Sequence, residues 1–79
     1  MRRKVAIHVF PRDNGQWAVR TAGVERAYRV VDTQIEAIQI GIELARNRRT
    51  ELIVHRADGT IRSKDSYGKD PLPPRKIND

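Results

Sequence analysis

The chain contains no cysteine. Neither a disulfide framework nor a thiolate metal site is therefore available to hold it together, and the absence fits a reducing, cytoplasmic setting. Aromatics are scarce, with one Trp, two Tyr and one Phe in 79 residues, so a core has to be assembled mainly from aliphatic side chains. No apolar run approaches the ~20 residues of a membrane span. The Met1-Arg2-Arg3-Lys4 start leads into an alternating strand, not into the uniform apolar block of a signal peptide. A chain of this length has room for one domain with a thin core.

What is present is organised around Asp32 to Arg49, DTQIEAIQIGIELARNRR. Thr33 followed by Glu36 is a capping box, in which each side chain satisfies a backbone N–H of the first helical turn. At helical spacing Gln34, Ala37, Ile38, Gly41 and Ala45 fall on one stripe, flanked by Ile35, Ile42 and Leu44. Glu36, Gln39, Glu43, Arg46 and Asn47 take the opposite side. Ala37, Gly41 and Ala45 recur every fourth residue, so the helix backbone is expected to lie close against a sheet. A mid-helix glycine costs about 1 kcal/mol relative to alanine, and close approach is the reason to keep it.

The flanking segments read as strands. Lys4 to Phe10 alternates, and Pro11 ends it; Arg12-Asp13-Asn14-Gly15 is a hairpin loop. Gln16 to Thr21 and Arg26 to Val31 follow, with a turn at Ala22 to Glu25. After the helix, Glu51 to Arg56 has three consecutive apolar residues, the pattern of a strand covered on both faces. Asp58-Gly59 turns the chain into a polar edge strand, Thr60 to Lys64. The order β-β-β-α-β-β with short connections predicts an α+β domain over residues 1–67, an antiparallel sheet with one helix on one face. Its expected core is Val5, Ile7, Val9, Trp17, Val19, Tyr28, Val30, Ala37, Ile38, Gly41, Leu44, Ala45, Leu52 and Val54. Residues 68–79, with three prolines and little to bury, read as a disordered, flexible Pro-rich tail.

Net charge is +6 with a pI near 10.5. Residues 1–31 hold seven bases and two acids, residues 32–45 three acids and no base, and residues 46–79 nine bases and five acids. Twelve of the sixteen bases are Arg, the side chain suited to bidentate phosphate contacts. The surplus therefore lies on the strands, the helix end and the tail.

Gly15–Val19, Thr33–Ile38, Glu51–His55, Asp58–Ile61 and Ser66–Pro71 occur in an order that resembles the small bacterial family catalogued as domain of unknown function 2188. The likeness covers nearly the whole chain. It implies a complete stand-alone domain and brings no assigned chemistry.

Nothing in the residues assembles a catalytic constellation, so no enzymatic activity, cofactor or small-molecule substrate is expected. His8 and His55 lie on strands expected to share a sheet, but two histidines without a third ligand are a weak zinc signal. Trp17 reads as a core residue in preference to a stacking platform for an unpaired base. Tyr67 either folds back onto the sheet as an anchor or presents an epitope. Two readings of function stand. In the first, Arg20, Arg29, Arg46, Arg48, Arg49, Arg56 and Arg62 form a basic surface for nucleic acid backbone. In the second, Phe10, Ile35, Ile40 and Ile53 are the buried centre of a homodimeric interaction module, a phage or mobile-element regulator for example, and the charge keeps it soluble.

Overall fold

The computed structural model describes residues 5–67, so the basic start and the Pro-rich segment 68–79 lie outside the described residues. The elements are β1 (Ile7–Pro11), β2 (Trp17–Thr21), β3 (Arg29–Val31), α1 (Gln34–Arg48), β4 (Glu51–His55) and β5 (Ile61–Ser66). They form a five-stranded sheet in the order β3-β2-β1-β4-β5 with α1 on one face.

The sheet is mixed, which corrects the expectation of a purely antiparallel one. β1 pairs antiparallel with β2, but β4 runs parallel to β1, with Ile7, His8 and Val9 opposite Leu52, Ile53 and Val54. The helix is the cause. Parallel neighbours require a crossover, and α1 carries the chain back along the sheet so that β4 starts at the same end as β1. β4 is central, with β1 on one side and β5 on the other, but it is not covered on both faces as its apolar run suggested: Leu52 and Val54 are buried under α1, and Ile53 is half-buried on the other face.

Thr33 caps the helix: its hydroxyl accepts the Glu36 N–H at 3.2 Å. Ala37, Gly41, Leu44 and Ala45 are buried against Ile7 and Val9 of β1, Val19 of β2, and Leu52 and Val54 of β4. Trp17, Val31, Ile38, Ile40, Ile42 and Tyr67 close the edges of this cluster. Trp17 is thus a core residue. Tyr67 is the anchor: its N–H donates to the Thr50 carbonyl at 3.0 Å, and the Arg46 guanidinium lies 5.8 Å from its ring centre.

Three expected core residues are exposed. Val5 precedes the first strand and is 43% exposed. Tyr28 and Val30 are 53% and 40% exposed because of register. β3 is shorter than the expected Arg26–Val31, and Val31 sits opposite Trp17 and Arg29 opposite Val19. Arg29 and Val31 therefore face the helix, and Val30 falls on the other side; one residue of register moves every side chain of a strand across the sheet.

Candidate functional site

Among the described residues α1 covers one face of the sheet and nothing covers the other. Register places Val30, Ala18 and Phe10 side by side across β3, β2 and β1, and His55 pairs with Ile61 at the other edge. The neighbouring row runs Arg20, His8, Ile53 and Lys64 across β2, β1, β4 and β5. The Arg20 guanidinium lies over the Phe10 ring, 4.8 Å from its centre. A cation on an aromatic face is held by the ring quadrupole and keeps its outward N–H groups available. Among the described residues the Arg20 guanidinium has no hydrogen-bond partner.

His8 Nδ1 and His55 Nε2 are 3.0 Å apart. Burial first, then the neighbouring His55 and Arg20, hold the His8 imidazole below the ordinary histidine value. Together with Phe10, Arg20, Ala22 and Gly23, the two histidines line an open concavity of about 380 Å³. No cluster of three or more His, Cys, Asp or Glu capable of holding a metal occurs among the described residues.

The seven arginines singled out from the sequence do not share one face. Arg46, Arg48 and Arg49 stand at the C-terminal end of α1, and Arg48 Nη1 donates to Thr21 Oγ1 at 3.0 Å. That bond fastens the helix end to the last residue of β2, next to Arg20. Arg29 is exposed on the edge strand β3. Arg56 and Arg62 lie at the other end of the helix, about 22 Å away along a 15-residue helix. Both are occupied there. Arg56 Nη1 donates to the Ile61 carbonyl at 3.0 Å within the β4–β5 hairpin. Arg62 Nη1 donates to Gln34 Oε1 at 2.9 Å, and Gln34 Nε2 in turn donates to the His55 carbonyl at 3.0 Å. Arg56 thus braces the hairpin internally, and Arg62 ties it to the start of the helix.

The four apolar residues expected at a dimer centre are likewise divided. Phe10 and Ile53 are half-buried on the uncovered sheet face, whereas Ile35 is on α1 and 67% exposed. Ile40 packs against the protein's own core. The helix therefore uses more of its apolar arc internally than the sequence pattern suggested, because Ile40 and Ile42 both reach the cluster.

Arg49 has φ 53°, the left-handed conformation of a helix C-cap, and its N–H bonds back to the last carbonyls of α1. Glycine is the residue that takes this conformation without steric cost. The sequence pattern singled out Arg49 for its charge at the helix end and gave no sign that it is also the cap. It missed as well the stacking of Arg20 on Phe10, which depends on strand register. The only signal for it was that Phe10 and His8, and Ala18 and Arg20, fall on the same phase of their strands.

No helix among the described residues is long and apolar enough to cross a membrane. No solved structure matches the chain. The uncharacterized protein YdaT of Bacillus subtilis (strain 168) is 41% identical over 63 residues, which cover 80% of this chain and 41% of YdaT. The chain thus spans less than half the length of that relative. A family model matches residues 7–67, all six elements included, and the chain belongs to the bacterial family described as "Uncharacterized protein conserved in bacteria (DUF2188)".

Proposed function

We propose that the protein is a small, basic, non-enzymatic binding domain that contacts the phosphates of nucleic acid in the cytoplasm. The observation that carries this reading is the bond from Arg48 to Thr21, 3.0 Å. It sets Arg48, with Arg49 next to it in the chain, beside the end of β2 that presents Arg20, while Arg46 lies over Tyr67; in this reading Arg48, Arg49 and Arg20 make a track of cations from the helix end round to the uncovered face. Arg49 supports the reading independently. An arginine in a conformation that favours glycine carries a steric cost of about 1–2 kcal/mol, and a charge needed at that point is a reason to bear it. Arg56 and Arg62 are structural in this reading, since both are engaged by backbone or Gln34.

The test is anisotropy titration of labelled single-stranded and duplex oligonucleotides across a salt series. Affinity should fall with salt with a log–log slope of roughly 0.7–0.9 per neutralised phosphate. Replacing Arg48 and Arg49 by Ala should lower affinity by a similar factor for every sequence and reduce the slope, whereas Arg56→Ala should leave both unchanged. An absence of binding at low salt for DNA and RNA alike would end the proposal.

A second reading rests on Val30 and Ile61, 40% and 54% exposed at the two edges of the uncovered face with Phe10 and Ile53 between them. It makes that face the centre of a homodimer. Its signature is a mass by light scattering that doubles with concentration and returns to the monomer value in Ile61→Lys.

A further inference from the structure

The two histidine rings meet head-on. Their centres are 5.3 Å apart and their planes differ by 23°, while the facing nitrogens are 3.0 Å apart. Each nitrogen lies one ring radius from its own centre, so this centre-to-centre distance is reached only when both nitrogens sit close to the line joining the rings. Rings stacked face to face would have much closer centres for the same nitrogen contact. The arrangement is an in-plane N–H···N hydrogen bond, in which one nitrogen carries the proton and the other the lone pair. It is not a chelating arrangement, because two lone pairs binding one metal must converge on a third point instead of facing each other.

The backbone assigns the proton. His55 Nδ1 lies 3.4 Å from the Gly59 carbonyl, which can only accept. His55 therefore carries hydrogen on Nδ1, and its Nε2 is the acceptor for Nδ1–H of His8. In the neutral pair His8 Nε2 is left with a lone pair. The shape of the imidazole turns that nitrogen away from His55, toward the β2 side, where Arg20 stands directly opposite His8 in register.

The other charged groups on this face are Lys64 of β5, opposite Ile53, and Glu51, at the far end of β4 from His55. Glu25 of the β2–β3 loop lines a neighbouring concavity together with Arg20, Gly23 and Val24, but the half-buried Arg20, stacked on Phe10, has no hydrogen-bond partner among the described residues. We propose that the concavity between His8, Phe10, Arg20, Ala22 and Gly23 is a phosphate-binding site, switched on by one proton taken up by the His8–His55 pair. This deepens the nucleic-acid reading and rests on it for the source of the phosphate. Arg20 offers the guanidinium fork that fits an oxyanion. With the pair neutral, the His8 Nε2 lone pair faces the same space and repels an anion. A proton there converts Nε2 into a donor and leaves the bond to His55 intact, since Nδ1–H is still present. In the empty site burial and the Arg20 charge oppose that proton. An anion on Arg20 cancels the charge and draws the proton in, so binding and protonation favour each other.

The experiment follows the imidazole 15N shifts of His8 and His55 between about pH 5 and 8, in chloride and in inorganic phosphate at matched ionic strength. Oligonucleotide anisotropy is measured over the same range for the wild type, His8→Gln and Arg20→Gln. Phosphate should raise the His8 midpoint in the wild type and not in Arg20→Gln. Oligonucleotide affinity should fall with pH by up to about tenfold per unit in the window between the free and bound midpoints, and should lose that dependence in His8→Gln. If His8→Gln does not fold, the wild-type midpoint with and without phosphate still decides. Oligonucleotide binding that is independent of pH, with histidine midpoints unmoved by phosphate, overturns the site and leaves the nucleic-acid reading standing. A His8 midpoint raised by inorganic phosphate without any oligonucleotide binding overturns the nucleic-acid reading and makes the ligand a free phosphate.

Discussion

Gly41 tests the packing on which the whole arrangement depends. A methyl group added there would stand 2.8 Å from Leu52 Cδ1 and 3.1 Å from Val9 Cγ2, against the ~3.5–4.0 Å of an ordinary carbon contact. Leu52 is 1% and Val9 0% exposed, so neither has free space to retreat into. Alanine should gain about 1 kcal/mol of helix propensity and lose ~1–3 kcal/mol to overpacking. The net for Gly41→Ala is a loss of up to about 2 kcal/mol, and each kcal/mol lowers the melting temperature of a domain this size by roughly 4–8 °C. Gly41→Leu places further carbons in the same gap and should lose a few kcal/mol, a large part of the ~4–12 kcal/mol total expected for 79 residues. Thermal and urea melts of Gly41→Ala, Leu52→Val and the double variant measure the clash as a coupling term, since shortening Leu52 opens space for the methyl. The sign is the decisive quantity. A Gly41→Ala variant that melts higher than wild type, as alanine does at a solvent-facing helix position, would refute the close approach of α1 to β1 and β4.

Arg49→Gly should raise stability by about 1 kcal/mol, because glycine takes the φ 53° of the helix cap without the steric cost borne by arginine; unchanged or lower urea stability would contradict the strain. The same variant should weaken oligonucleotide binding, so stability and affinity move in opposite directions. Acid should weaken the fold as the pH falls below the ordinary histidine value. His8 is held below its ordinary 6.5, so the unfolded chain binds the proton first. The stability due to neutral His8 is then complete above that value and is lost as pH falls through the lower folded one. Urea midpoints at constant ionic strength should show this loss in the wild type and not in His8→Gln, and should show less of it when inorganic phosphate replaces chloride.

The helix was legible because its signals are local. Thr33 and Glu36 mark its start, and Ala37, Gly41 and Ala45 mark the side that touches the sheet; the burial of all three agrees. The strands were legible as strands for the same reason, through alternation within each segment. Their pairing was not. Nothing within Glu51–His55 distinguishes a parallel neighbour from an antiparallel one; that is decided by the length and direction of α1. The same holds for the edge strand, where alternation in Arg26–Val31 is clear but its phase relative to β2 is set by the pairing of Trp17 with Val31. The candidate site inherits this limit. His8, Phe10, Arg20 and His55 lie on three strands, and only the register between those strands makes them neighbours.

What covers the open face separates the two functional readings, and the structure bears on this through Ala18. It lies on the face away from the helix yet is 0% exposed, because Phe10 and Val30 flank it in the same row and close over it. Phe10 and Ile53 are already half-buried by their own neighbours. The exposed aliphatic groups on the strands of this face, Val30 and Ile61, lie on β3 and β5, four strand spacings or about 19 Å apart. Arg20, His8 and Lys64 occupy the row beside them. A dimer seated here would need on the order of 800 Å² from each copy, and it would have to bring Arg20 and Lys64 of both copies toward one another over a centre that is largely self-covered. A phosphate-bearing strand meets the opposite balance: it brings hydrogen-bond acceptors to Arg20, whose guanidinium has none among the described residues, and it needs only the shallow relief between Phe10 and Gly23 in order to seat.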